Sequence, residues 1–154
     1  MKARILVVDD HEVLREGLKS LLAKARPEWK VCGEATDGAQ AVELVGELKP
    51  DIVILDISMP GMSGLEAASV MRKKGINTPF LIFTTHDSER LEGEVRKVGA
   101  QGYVLKSQAA RNLVMAIDAL LSGGTFFGPP QKSAGEREKP NPGIVFCRGV
   151  AFAF

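Results

Sequence analysis

Four short apolar runs in this chain each close on a polar side chain: Ile5-Leu6-Val7-Val8 on Asp9 and Asp10, Ile52-Val53-Ile54-Leu55 on Asp56, Phe80-Leu81-Ile82-Phe83 on Thr84, and Gly102-Tyr103-Val104-Leu105 on Lys106. Continuous apolar runs of this kind are what a parallel sheet buries on both faces. The groups that end them then emerge together at the carboxyl edge of the sheet, where open α/β folds place their ligands. Three acids gathered at one edge raise one another's pKa and call for a cation. With a hydroxyl and an ammonium beside them, the set reads as a phosphate-handling site.

Between these runs the apolar period changes from strand-like to helix-like and back. Leu14, Leu18, Leu21, Leu22 and Ala25 share one helical face, and residues 31–35 form a second strand. Asp37-Gly38-Ala39-Gln40 has the capping-box form and opens a helix carrying Ala41, Leu44, Val45 and Leu48, which Pro50 and Asp51 end. Pro60 and Gly61 tighten the loop after the third strand, and Ser63-Gly64-Leu65-Glu66 repeats the capping box before a helix running to about residue 74. A fourth strand over 79–84 precedes a helix over about 88–98 whose stripe of Leu91, Val95 and Val98 is thin, as suits a movable element. Gly99 and Gly102 bracket the turn into the fifth strand. Ser107 is the expected N-cap of a last helix with Leu113, Ile117, Leu120 and Leu121 inward, stopped by Gly123 and Gly124. Five such units predict an α/β fold: a doubly wound parallel (βα)5 sheet covered by helices on both sides, with right-handed crossovers.

A chain of 154 residues, 45% hydrophobic and 25% charged, has material for one compact domain. A formal charge of +1 gives no basic excess of the kind that binds a nucleic-acid backbone, so direct DNA binding is unsupported. Two cysteines, Cys32 and Cys147, are too few and too far apart for a disulfide framework, which fits a reducing cytoplasm. No leader and no apolar run of membrane-spanning length is present, so a soluble, cytoplasmic protein is expected.

Taken singly, the strand-ending residues have ordinary explanations. Asp9 and Asp10 suit an N-cap, Asp56 suits a turn, Lys106 suits a solvated strand end, and Thr84 is simply β-branched. Convergence favours chemistry, because a cap needs no third acid from a distant strand and a turn needs no lysine opposite. Mg2+ fits such a set: it is hard, prefers oxygen, and commonly takes one or two carboxylates together with phosphate oxygens. Asp56 can then act as a nucleophile toward phosphorus, with Mg2+ and Lys106 neutralising the transferring oxygens and Thr84 donating to one of them. His11 and His86 read as solvated polar residues, and Met59 and Met62 as apolar filling.

The combination of Val-Val-Asp-Asp-His, Leu-Asp-Ile-Ser-Met-Pro-Gly-Met-Ser-Gly, the strand-ending Thr84 and Gly-Tyr-Val-Leu-Lys resembles the receiver domain of bacterial two-component response regulators, over about residues 3–122. The resemblance implies a flavodoxin-like strand order 2-1-3-4-5. It implies that Asp56 is the phosphoacceptor, that Asp10 binds Mg2+ directly and Asp9 through water, and that the backbone carbonyl of Ser58 completes the protein ligands. Lys106 contacts the phosphoryl group, Thr84 moves toward it, and Tyr103, otherwise a plain packing aromatic, is the rotameric switch. The implied donor is a phosphohistidine on a sensor histidine kinase. The face made by the fourth helix, fifth strand and fifth helix is expected to reorder, and that face or the first and fifth helices can support a homodimer. No enzyme activity is expected beyond self-phosphorylation from acyl phosphates and autodephosphorylation. Thr85 stands where many relatives have Ala or Gly, and Ser107 replaces a frequent proline.

Val-Val-Asp-Asp-His-Glu-Val-Leu-Arg-Glu-Gly-Leu and the Gly-Gly-Thr-Phe-Phe exit are most similar to receivers of LuxR/NarL-type regulators, which carry a C-terminal helix-turn-helix domain. Residues 1–124 are expected to be the receiver. Residues 125–154, with Pro129, Pro130, Gly135, Pro140, Pro142 and Gly143 and then an apolar run, are expected to be a linker and tail without a fold of their own. Gly135-Glu136-Arg137-Glu138 faintly resembles the start of the helix-turn-helix domain, which makes the chain a shortened regulator or a stand-alone receiver. Competing classes are an aspartyl phosphatase of haloacid-dehalogenase type, which wants Asp-x-Asp where this chain has Asp9-Asp10; a flavodoxin-like cofactor binder, which wants a Gly- or Ser-rich first loop; and an adaptor indifferent to phosphorylation.

Overall fold

A computed structural model describes residues 2–85 and 87–127. Expectations for His86, Cys147 and residues 128–154 fall outside these described residues. The order is β1 (Ala3–Val8), α1 (Glu12–Ala25), β2 (Trp29–Ala35), α2 (Gly38–Leu48), β3 (Ile52–Asp56), α3 (Gly64–Lys73), β4 (Phe80–Thr84), α4 (Leu91–Lys97), β5 (Gly102–Leu105) and α5 (Ala109–Leu121). The strands form one parallel sheet in the order β2-β1-β3-β4-β5.

The unbroken apolar strands are explained by two cores, one on each face. Ile5, Val7, Ile52, Ile54, Leu81 and Phe83 pack with Leu18 and Leu22 of α1 and with Leu113 and Ile117 of α5. Their neighbours Leu6, Val8, Val53, Leu55 and Ile82 point the other way, onto Ala41, Val45, Ala67, Met71, Leu91 and Val95 of α2, α3 and α4. Strand side chains alternate between faces, so each apolar residue finds one core or the other. Each such large side chain contributes about 1.5–3 kcal/mol of burial.

Of the two expected capping boxes, the one at Ser63 forms in full and the one at Asp37 only in its forward half. Ser63 Oγ accepts from the Glu66 N–H, and the Glu66 carboxylate accepts from the Ser63 N–H at 2.9 Å. Asp37 accepts from the Gln40 N–H at 2.8 Å, but the Gln40 carbonyl reaches one residue further, to the Thr36 N–H. Three expectations need correction. β2 begins at Trp29 rather than 31, because Trp29 is buried against the α1–α5 core. α4 is confined to Leu91–Lys97, with only Leu91 and Val95 fully buried, so its apolar stripe is thinner still. Ser107 is not the N-cap of α5: Lys106–Gln108 wind as a 3-10 turn, and Gln108 takes the cap position with its side chain accepting from Asn112 rather than from a backbone N–H of the first turn. No helix among the described residues is long and apolar enough to cross a membrane.

The register fixes where the strands stop. Val8 lies opposite Leu55, Asp56 opposite Phe83, and Thr84 opposite Leu105, so Asp9, Asp56, Thr84 and Lys106 leave the sheet at one level. Gly64 then lets α3 start directly against this edge, since a Cβ there would sit 2.0 Å from the Asp56 carbonyl oxygen.

Candidate functional site

Asp9, Asp56 and Thr84 are at most 2% exposed, although Asp56 and Thr84 end their strands and Asp9 directly follows β1 at the sheet edge. Asp10, one residue beyond Asp9, remains open to solvent. Lys106 crosses from β5 and joins the two buried acids: its Nζ donates to Asp9 Oδ2 at 2.9 Å and lies 3.3 Å from Asp56 Oδ1. Asp56 Oδ2 is buried without a hydrogen-bond partner. Burial pushes the Asp56 carboxyl above its usual pKa, and the nearby Asp9 charge adds to the shift. Lys106 and the Ser58 backbone N–H oppose it. Ser58 itself is exposed in the loop after β3.

Asp9, Asp10, His11 and Asp56 each bring one ligand atom to within 4.8 Å of the others. A partnerless buried carboxylate oxygen in an oxygen-rich cluster fits a hard divalent cation, which would satisfy that oxygen and offset the crowding. Asp9, Asp10 and Asp56 bring carboxylate oxygens close enough together to share such a cation. The same arrangement leaves the Asp56 carboxylate incompletely compensated, with Lys106 as the cationic side chain beside it.

Two contributors were not singled out in the sequence. The His11 ring is 67% exposed, as a solvated residue should be, yet its Nδ1 sits 3.1 Å from both Asp9 Oδ1 and Asp10 Oδ1. Its position directly after two acids was the available signal. Arg15 donates from Nη1 to the Asp9 carbonyl at 2.7 Å and from Nε to Glu34 at 2.9 Å, anchoring the acidic loop to the end of β2. Lys19 and Arg15 hold the Glu34 carboxyl below its ordinary pKa. Nothing local announces this pairing, because Arg15 and Lys19 lie on α1 and Glu34 arrives from β2.

Tyr103 lies half-buried on β5 with its ring edge-on to Phe127, centroids 6.2 Å apart at 66°. It packs with the α2–α3–α4 core. Thr84 is two residues after Ile82 on β4, and so faces the same side of the sheet. Met59 and Met62 pack at the margin of that core, as filling residues should.

Fold and pocket together define a flavodoxin-like domain of the signalling class, since the loop after β1 carries acids rather than the glycines of a cofactor-phosphate cradle. The chain belongs to the response regulator receiver domain family, which matches residues 5–118. It is 42% identical over 126 residues to the transcriptional regulatory protein YdfI of Bacillus subtilis, covering 82% of this chain and 58% of that protein. It is 39% identical over 121 residues to the nitrate/nitrite response regulator protein NarL of Escherichia coli, covering 79% and 56%. Among solved structures, a LuxR-family two-component response regulator from Aurantimonas sp. SI85-9A1 superposes with a TM-score of 0.80 at 40% identity, covering 84% of this chain and 91% of that one. The signal receiver domain of the putative response regulator NarL from Mycobacterium tuberculosis gives 0.74 at 35%, covering 79% and 98%. The chain is thus a receiver of LuxR/NarL type, which sets aside the haloacid-dehalogenase and flavodoxin alternatives. It spans a little over half the length of these curated relatives.

Proposed function

We propose that this receiver takes a phosphoryl group from a phosphohistidine of a sensor histidine kinase onto Asp56, in the cytoplasm, and that the α4-β5-α5 face changes in response. The observation that carries the reading is Asp56 itself: buried, close to Lys106, with one oxygen unsatisfied and its charge poorly tolerated.

In the transfer, an Asp56 oxygen attacks phosphorus while the bond to the donor imidazole nitrogen breaks, and the imidazole keeps the electron pair and takes a proton. Mg2+, when bound, supplies charge neutralisation for the phosphoryl oxygens. Lys106 is within reach of the same oxygens and exchanges its carboxylate partner for them. Asp9 retains Lys106 at 2.9 Å, so the lysine stays oriented as Asp56 changes. The Thr84 hydroxyl gains a strong acceptor in the new dianion, and its movement opens room on the face that carries Tyr103. The protein thereby acts as a phosphoacceptor, with autodephosphorylation as its only turnover.

Residues 1–124 form the signalling unit in this reading and 125–154 a linker and tail. Homodimerisation through α4-β5-α5 or α1-α5 is the accompanying proposal for assembly. The transcriptional roles in the relatives' names would reach this chain through another segment or partner under control of the switched face. Incubation with Mg2+ and a small acyl phosphate, followed by mass measurement, tests the assignment: one phosphoryl group is expected on the wild type and none on Asp56→Asn. Labelling of the variant, or of neither protein, refutes it.

A further inference from the structure

The chain does not leave the sheet when α5 ends. Gly123, at φ 89°, reverses its direction, and Phe126 then pairs in parallel with Gly102 along the outer edge of β5. The Tyr103 N–H donates to the Phe126 carbonyl at 2.9 Å, and the Phe126 N–H donates to the Gln101 carbonyl at 3.0 Å. Gly102 makes this approach possible, because a Cβ there would lie 2.1 Å from the Phe126 oxygen. Phe127 meets the edge of the Tyr103 ring on one side. On the other, the Arg96 guanidinium of α4 lies 3.7 Å from the Phe127 ring centroid while pairing with Glu92 at 2.9 Å.

We propose that the β5 edge, together with Tyr103 and Arg96, is a docking surface for an extended aromatic segment, that residues 125–127 of this chain occupy it at rest, and that phosphorylation of Asp56 vacates it. The inference rests on the phosphoacceptor reading and names how the state of that site reaches the chain beyond α5. Tyr103 is the shared element. Its ring packs on Phe127 in the position observed, and Thr84 lies on the same face of the sheet. A ring drawn toward Thr84 no longer presents its edge to Phe127. Strand-edge pairing by two backbone bonds, with a side-chain pocket beside it, is an established way of holding an extended segment. Here the pocket wall is the switch residue. The short α4, with two buried residues, supplies a second wall that is itself lightly held.

Linkage gives the decisive test, since a contact favouring the resting state must weaken ligands of the active state by the same factor. In the full chain, Phe127→Ala should bind a Mg2+–beryllofluoride stand-in for the phosphoryl group about three- to tenfold more tightly than wild type, the range of one aromatic edge contact. A purely structural Phe127 would leave that affinity unchanged or lower it. In the unmutated protein, loading Asp56 should speed hydrogen exchange at the Tyr103 and Phe126 amides by roughly tenfold or more, while β1 and β3 amides stay protected. A loaded Asp56 with both edge amides still protected, or a variant that binds no tighter, overturns the docking switch and leaves the phosphoacceptor reading standing. If neither protein takes beryllofluoride or acyl phosphate, the phosphoacceptor reading falls and the switch falls with it.

Discussion

Replacing Asp56 by Asn should stabilise the metal-free protein at neutral pH, although it removes the centre of the proposed chemistry. The wild-type carboxylate is 2% exposed, has one oxygen without a partner, and is held above its ordinary pKa first by burial and then by Asp9. A group whose folded-state pKa is raised contributes stability below its unfolded-state value and loses it as pH rises through the folded-state value. At pH 7 the ionised form therefore penalises the fold. Leaving a buried polar group unsatisfied costs about 1–3 kcal/mol, more for a charge. Asn keeps the shape and drops the charge, but Lys106 then loses one of two carboxylates, which offsets part of the gain. A net stabilisation of about 1–2 kcal/mol remains, or roughly 2–8 °C in Tm for a chain near 150 residues. Urea titrations in chelator at pH 7 and near pH 4 measure it. The advantage should shrink at the lower pH, where wild-type Asp56 is taking up its proton. An Asn variant no more stable than wild type at pH 7, or one whose advantage grows on acidification, refutes the reasoning.

Added Mg2+ should raise the wild-type Tm with concentration, by the equivalent of about 2.7 kcal/mol at a hundredfold excess over Kd, and thermal melts of Asp10→Ala should show most of that gain lost. Gly64→Ala should cost about 1–3 kcal/mol in urea unfolding, because the new methyl must displace α3 from the Asp56 carbonyl, 2.0 Å away as built. A variant of wild-type stability would show that the α3 start is free to shift. Thr85 is exposed directly after Thr84, and trimming it would widen the approach of water, so Thr85→Ala should lose its phosphoryl group faster than wild type. Equal decay by mass or radiolabel would refute that role.

Much of the fold was legible because its signals are local. The two helix-opening Asp37 and Ser63 motifs operate over three or four residues, and both caps form. Ser107 misled for the opposite reason. The chain just after β5 is held by Lys106 reaching back to Asp9 and Asp56, and the turn that follows winds too tightly for Ser107 to start α5. Arg72 shows the same limit. It reads as an ordinary basic residue near the end of α3, but its guanidinium gathers the carbonyls of Ile76, Thr78 and Gly99 and lies 3.9 Å from the Phe80 ring centroid. Those partners are set by how β4 and β5 lie beside α3.

What the amino-acid order determined by itself was the alternation of periods and the identity of each strand's last residue. Side-chain direction repeats every 2 residues in a strand and every 3.6 in a helix, so a few neighbours suffice to encode it. Only the tertiary structure decided that Lys106 would sit between Asp9 and Asp56, that one Asp56 oxygen would be left without a partner, and that Phe126 would return to Gly102. Lys106 and Asp9 are 97 positions apart. Their meeting depends on strand order and register, which come from the packing of the whole sheet between its two helical layers, and no short stretch of sequence carries that information.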